Sequence, residues 1–296
     1  MSQQFALEKN AVRRSFERAA HTYDDAAVLA REIGDRMLER LDLVRAIPAR
    51  LLDLGSGTGY CAQKLRIRYP HCDVVELDFA RSMLLRARGP RSWWRRGLAA
   101  LRGDRAWAVC GDMEALPFAD RTFDMIWSNL ALHWLDTPQR VFAECWRVLR
   151  PGGAFMFSTL GPDTLKELRS AFATVDRRVH VNRFMDMHDI GDGLLSTGFA
   201  DPVMDMECIT LSYPNVRALL DELKASGARN LNAGRNSALS GKTGFAACVD
   251  CYEQLRQDDR LPATFEVVYG QAWKSEHEDV REDGRKVIQF HTSRPA

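Results

Sequence analysis

No stretch of the 296-residue chain is apolar for anything near the roughly 20 residues that a membrane span requires, which argues against a transmembrane helix. Neither charge sign is in excess. The 41 basic and 40 acidic residues leave a net charge of +1, which excludes a globally basic nucleic-acid binder but not a local patch. Framework cysteine spacing is absent too: the seven cysteines are odd in number and scattered, in a chain long enough to bury a core without disulfides. Free thiols in a reducing, cytoplasmic setting are expected. Cys248 and Cys251 form a lone CxxC inside a helical pattern with no second pair, so packing is the better reading than a metal or redox centre. Residues 1–16 mix Glu8 with Lys9, Arg13 and Arg14 and have no long apolar core, so no secretory signal is expected. Repeats and low-complexity tracts are missing as well. No membrane, nucleic acid or metal is expected as a partner. What is left, 46% hydrophobic and 27% charged, is ordinary for a globular protein of one elaborated domain or a core with a cap.

Residues 5–45 read as helices, with Phe5, Val12 and Phe16 and then Val28, Leu29, Ile33, Met37, Leu38 and Leu41 at helical spacing, ending before Pro48. A βα alternation follows. Leu51-Leu52-Asp53-Leu54, Asp73-Val74-Val75-Glu76-Leu77-Asp78, Trp107-Ala108-Val109-Cys110, Phe123-Asp124-Met125-Ile126-Trp127 and Ala154-Phe155-Met156-Phe157-Ser158 are strand-like. Helices are predicted over 60–68, 80–88 and 138–149. Such alternation implies a parallel sheet with right-handed crossovers. After residue 160 come helical patterns at 164–174, 187–197, 216–225 and 244–256, with strand-like runs at 203–213 and 264–273. The last run alternates Phe265, Val267 and Tyr269 with Glu266, Val268 and Gly270, as suits an antiparallel or edge strand. The expected organisation is an N-terminal helical segment over the active site (1–47), a core (48–160), and a helical cap with closing strands of the same domain (161–296).

Asp53-Leu54-Gly55-Ser56-Gly57-Thr58-Gly59 lies between a strand and a helix, where glycines let backbone approach a ligand and open a helix N-terminus toward it. The spacing is GxGxG, not the GxGxxG of dinucleotide binders. Asp53, two residues before the first glycine, calls for a ligand with a positive amino group. The second strand ends in Asp78, followed by Phe79, and a carboxylate there can accept both hydroxyls of a ribose. Asp112 can accept from an exocyclic adenine amine and Met113 can pack on the ring. The fourth strand runs into Ser128-Asn129-Leu130. Together these residues ask for a nucleoside with a ribose diol, an adenine and a charged amino-acid tail.

With Leu149-Arg150-Pro151-Gly152-Gly153 added, residues 48–160 resemble the class I S-adenosylmethionine-dependent methyltransferases. The resemblance implies a Rossmann-like α/β sheet, mostly parallel with a late antiparallel strand, plus N-terminal helices and a helical cap. It implies that S-adenosylmethionine is the cofactor. Asp53, Gly55, Ser56, Gly57 and Gly59 would hold its methionine end, Asp78 with Phe79 the ribose side, Asp112 and Met113 the adenine, and Asn129 and Leu130 the region beside the sulfonium. Ser56 stands where that family often has cysteine.

The flanks narrow the resemblance. Arg18-Ala19-Ala20-His21-Thr22-Tyr23-Asp24, the run from Leu160 to Arg169, the run from Val181 to Gly191, Leu211-Ser212-Tyr213-Pro214 and the run from Leu261 to Trp273 resemble the malonyl-acyl-carrier-protein O-methyltransferases of biotin synthesis, over roughly residues 10–274. The implied reaction is methyl transfer to the free carboxylate of a malonyl thioester, with malonate-bearing acyl carrier protein as partner. A carboxylate is ionised at neutral pH, so no catalytic general base is expected. A cation should fix it, and the planar fork of arginine suits that task. Tyr23, His21, Arg183 and His188 are the candidate substrate-binding residues, each with an ordinary packing, pairing or capping role as its alternative. Residues 81–105 hold eight arginines and one acid, Asp104. Arg91, Arg95 and Arg96 are therefore candidates for docking the acidic carrier protein, against a plain solvated insertion. Two other functions stay open. One is methylation of another small acid or of malonyl-CoA. The other is the role some relatives play as respiratory-complex assembly factors or protein-arginine modifiers.

Overall fold

The computed structural model describes residues 7–88, 107–176, 178–232 and 242–275. Three helices open the chain, α1 (Lys9–Ala19), α2 (Tyr23–Ala26) and α3 (Val28–Arg40). The apolar runs then become β1 (Arg50–Leu54), β2 (Asp73–Asp78), β3 (Trp107–Cys110), β4 (Phe123–Asn129) and β5 (Leu149–Leu160). Between them lie α4 (Tyr60–Arg68), α5 (Arg81–Arg88) and α6 (Pro138–Val148). The remainder is α7 (Lys166–Ala173), α8 (Met187–Thr197), β6 (Phe199–Tyr213), α9 (Val216–Ala225), α10 (Lys242–Glu253) and β7 (Leu261–Lys274).

The strands form one sheet in the order β3-β2-β1-β4-β5-β7-β6. β1 to β5 pair in parallel, and β7 runs antiparallel to both its neighbours. The central strands are buried on both faces, which is why they read as unbroken apolar runs. Their side chains alternate between two cores. Leu52, Leu54, Val75, Leu77, Ile126, Phe155 and Phe157 pack under α6 and α8. Leu51, Val74, Met125, Trp127 and Met156 pack against Ile33 and Met37 of α3 and Leu65 of α4. Each such fully buried side chain contributes roughly 1.5–3 kcal/mol.

Three points of comparison with the sequence expectations have physical causes. β7 is antiparallel, as expected, and lies inside the sheet rather than at its edge. Its neighbour β6 takes the edge, which explains the half-exposed alternation of β6. Glu266 is tolerated inside β7 because its Oε2 accepts from the Asp163 amide at 2.6 Å. Second, the Arg150–Gly153 stretch belongs to β5 rather than to a loop. Phe123 pairs with Leu149 and Met125 with Ala154, so the extra residues are accommodated as an irregularity in the ladder. Third, Cys248 is, as expected, a core residue of the cap, packed with Leu165, Leu219, Tyr252 and Phe265, and burial pushes its thiol up to about 11. Among the described residues no group of three or more metal-ligating side chains forms, and no helix is long and apolar enough to cross a membrane.

Gly270 lies flat under the ring of Phe157, and a Cβ there would overlap the ring atoms. Gly270→Ala is therefore expected to destabilise the fold by about 1–3 kcal/mol through overpacking. A lowered urea midpoint with an unchanged slope would show it.

Candidate active site

The glycine loop is shaped by backbone bonds to the neighbouring strand. The Gly55 and Ser56 amides donate to the Leu77 carbonyl at 2.8 and 3.0 Å, which turns the chain across the end of β2. Gly55 has φ 76°, and a Cβ there would lie 2.5 Å from that of Ala131, so glycine is required on both counts. The loop then presents the Gly57 amide to Asp78 Oδ2 at 2.9 Å, while the Ala80 amide donates to Oδ1 at 2.8 Å. Burial pushes the Asp78 carboxyl up to about 6, with those two amides opposing the shift. Asp53 is 1% exposed. Burial holds its carboxyl well above the usual carboxylate range; the charge of Glu76 adds to the effect and Arg66 opposes it.

Three hollows meet at this end of the sheet. The first, about 570 Å³, is lined by Asp53, Glu76, the loop from Gly55 to Gly59, and Asn129, with Arg31 and Arg66 nearby. The second, about 70 Å³, is lined by Asp78, Phe79, Asp112, Met113, Asn129 and Leu130, with Phe16 and Trp134 over it. The third, about 330 Å³ and mostly apolar, lies beyond Leu130 among Leu29, Leu168, Phe172, Phe184 and Phe265. Tyr23 borders all three.

All eleven residues expected at the cofactor line the first or second hollow. They fit a nucleoside bearing an amino-acid tail. Asp53 Oδ2 and Ser56 Oγ are buried and have no hydrogen-bond partner among the described residues, as needed where a polar ligand completes the site. Besides Asp78, which the Gly57 and Ala80 amides already engage, Asn129 and Asp112 have partners within the chain. Asn129 donates to the Ala30 carbonyl at 2.8 Å and accepts from Ser158 Oγ at 2.7 Å, so it supplies a wall rather than a free group. Asp112 accepts from the Glu114 amide at 3.0 Å and pairs with Lys9 of α1.

The substrate candidates separate. Tyr23 stands at the junction, and burial first, then the charge of Asp78, keeps its phenol protonated. His21 is exposed and lines none of the three hollows. His188 is exposed at the start of α8, where its ring and amide both bond the capping carboxylate of Asp186, at 2.7 and 2.8 Å. Arg183 borders a separate hollow of about 30 Å³ with Pro138, Phe142 and Ile190. Sequence reasoning missed Arg229, Lys224, Glu222, His180 and Asn182, all at the third hollow. The one local signal was Ser226-Gly227 after a helical pattern, which marks a helix end and a turn. His133 also lines the third hollow. Burial pushes its pKa down to about 3, so the ring is neutral.

Residues 52–157 match the family model described as "Methyltransferase domain". The YcgJ protein of Bacillus subtilis superposes with a TM-score of 0.56 at 15% identity, over 81% of this chain and 98% of that one, which shows the shared fold. Fold and site together define a methyltransferase of the doubly wound α/β class. The malonyl-[acyl-carrier protein] O-methyltransferase of Laribacter hongkongensis is 54% identical over 100% of both chains. That of Gallionella capsiferriformans is 52% identical over 96% of this chain and 97% of its own. The chain belongs to the malonyl-[acyl-carrier protein] O-methyltransferase family.

Proposed function

We propose that the protein transfers a methyl group from S-adenosylmethionine to the free carboxylate of malonyl-acyl carrier protein, in the cytoplasm. The observation that carries this reading is the meeting, at Tyr23, of two hollows lined by the candidate cofactor residues with a mostly apolar third one. When bound, the cofactor supplies an electrophilic methyl on a sulfonium. The protein's own residues do the rest. Asp53 and the glycine loop hold the charged tail, and Asp78 accepts from the ribose. Tyr23 and Leu130 form the partition through which donor and acceptor meet, and the surrounding leucines and phenylalanines exclude water. The acceptor arrives ionised, so no proton need be removed, and the neutral ring of His133 places no competing charge beside it. The product ester hides the acid from enzymes that extend neutral acyl chains, as a route to biotin requires.

Release of S-adenosylhomocysteine tests the reading. It should depend on malonyl-carrier protein and not occur with acetyl-carrier protein. Equal release with both would sink the carboxylate-acceptor mechanism.

Arg91, Arg95 and Arg96 lie outside the described residues, and their docking role remains a proposal from charge. Serine at all three is expected to weaken carrier-protein binding at low salt and to leave turnover of saturating malonyl-CoA unchanged. The difference should shrink as ionic strength rises and the screening length falls to about 8 Å. Titrations at two salt concentrations would check it, and equal loss on both acceptors would contradict it.

A further inference from the structure

The polar groups around the third hollow are nearly all spoken for. His180 bonds Asp176 at 2.8 Å and stacks on Phe172 with ring centroids 4.1 Å apart. Glu222 accepts from the Tyr213 hydroxyl at 2.8 Å. Asn182 donates to the Arg229 carbonyl at 3.4 Å and accepts from Asn232 Nδ2 at 2.9 Å. The neutral ring of His133 has no charge to offer. The cationic side chains left on the lining are those of Lys224, at the end of α9, and Arg229, in the loop that follows.

The loop that carries Arg229 is held on both sides. Gly227, with φ 78°, turns the chain out of α9, and a Cβ there would lie 3.1 Å from the ring of Phe16. Ser15 of α1 donates to the Gly227 carbonyl at 2.9 Å, and Thr22 donates to the Ala225 carbonyl at 2.8 Å. On the other side the Leu231 amide and Asn232 Nδ2 bond the buried Asn182, while Asn230 donates to the Val179 carbonyl. Backbone this firmly tied fixes where the arginine begins. Among the described residues its guanidinium has no hydrogen bond or ion pair with a side chain. A cation on a firmly tied loop, on the lining of an apolar hollow that Tyr23 also borders, suits a ligand with an apolar stem and one anionic end.

We infer that Arg229 grips the free carboxylate of the acceptor and so makes the enzyme select an acid thioester over a neutral one. The inference rests on the proposed methyl transfer and names the residue behind its selectivity. Arginine can take both carboxylate oxygens in its planar fork, which also fixes the orientation in which one oxygen meets the methyl. Lys224, a point charge on a flexible stem, lacks that geometry.

The test compares wild type with Arg229→Gln, Arg229→Lys, Lys224→Gln and Arg183→Gln. Three quantities are read: KM for malonyl-carrier protein, the inhibition constant of acetyl-carrier protein, and the affinity for S-adenosylhomocysteine. Arg229→Gln should raise the malonyl KM roughly 10- to 100-fold, as loss of a charge-assisted pair implies. It should leave acetyl inhibition and S-adenosylhomocysteine affinity within about twofold of wild type, because neither ligand meets the guanidinium. Arg229→Lys should recover part of the loss. The inference is overturned if Arg229→Gln keeps the malonyl preference or weakens malonyl and acetyl ligands alike. It is also overturned if the preference collapses in Lys224→Gln or Arg183→Gln instead. A wild-type enzyme that binds S-adenosylhomocysteine but never methylates a malonyl thioester would overturn the underlying function before any variant is made.

Discussion

Tyr23→Ala is expected to cut turnover about 100-fold, the scale of loss that follows when reacting groups shift by an ångström. Tyr23 borders all three hollows at once, and its ring lies 3.9 Å from where a Gly57 Cβ would be. Removing it joins the three spaces and admits water where donor and acceptor should touch. Tyr23→Phe keeps the ring and should lose far less, since the phenol stays protonated and no proton transfer is required of it. Single-turnover rates with cofactor and acceptor both saturating would separate this from weak binding. A Tyr23→Ala enzyme with wild-type chemical rate would remove Tyr23 from the reaction centre.

The second large effect belongs to Asp78. Asp78→Ala should weaken S-adenosylhomocysteine by about 1–3 kcal/mol, since ribose hydroxyls lose a charged acceptor. Acidification offers a sharper signature. The carboxyl is raised to about 6 by burial in the folded protein, against roughly 3.9 in an unfolded chain. The fold thus binds this proton more tightly than the unfolded chain does, and the Asp78 contribution to stability grows as pH falls from 7 through 6 toward 4. Ligand affinity moves the opposite way, because the ionised form is the acceptor. Between pH 7 and pH 5 the affinity should fall about tenfold in wild type and stay nearly flat in Asp78→Asn. Over the same interval the stability difference between the two proteins should move in favour of wild type. Calorimetric binding and urea unfolding at both pH values check the two signs together; affinity that rises on acidification would exclude Asp78 as the acceptor.

The candidate cofactor residues come together around two hollows because each sits within a few residues of a strand end. Once β1, β2 and β4 are placed by their apolar runs, Asp53, Asp78 and Asn129 fall on one edge of the sheet without further information. The third hollow carries no such local signature. Its lining comes from α2, α3, the β4 exit, α7, the segment before α8, and the α9 exit, and only packing brings Tyr23, Phe184 and Arg229 together. Residue type alone favoured Arg183 and His188, but the fold gives Arg183 a different hollow and uses His188 at a helix start beside Asp186. A capping pattern at Asp186 was readable and would have discounted His188. Boundaries slipped where proline obscured them. β6 begins at Phe199, ahead of an irregularity around Pro202, and β7 begins at Leu261, where Pro262 interrupts the apolar alternation.

The most direct measurement is a mass spectrum of malonyl-carrier protein after incubation with the enzyme and S-adenosylmethionine, with fragmentation of the released acyl-pantetheine arm. Methyl transfer to the free carboxylate predicts one added methyl, located on the distal end of the malonyl group, and no change in acetyl-carrier protein treated alongside. A methyl found on the carrier polypeptide, or on the acetyl form as readily as the malonyl form, would contradict it.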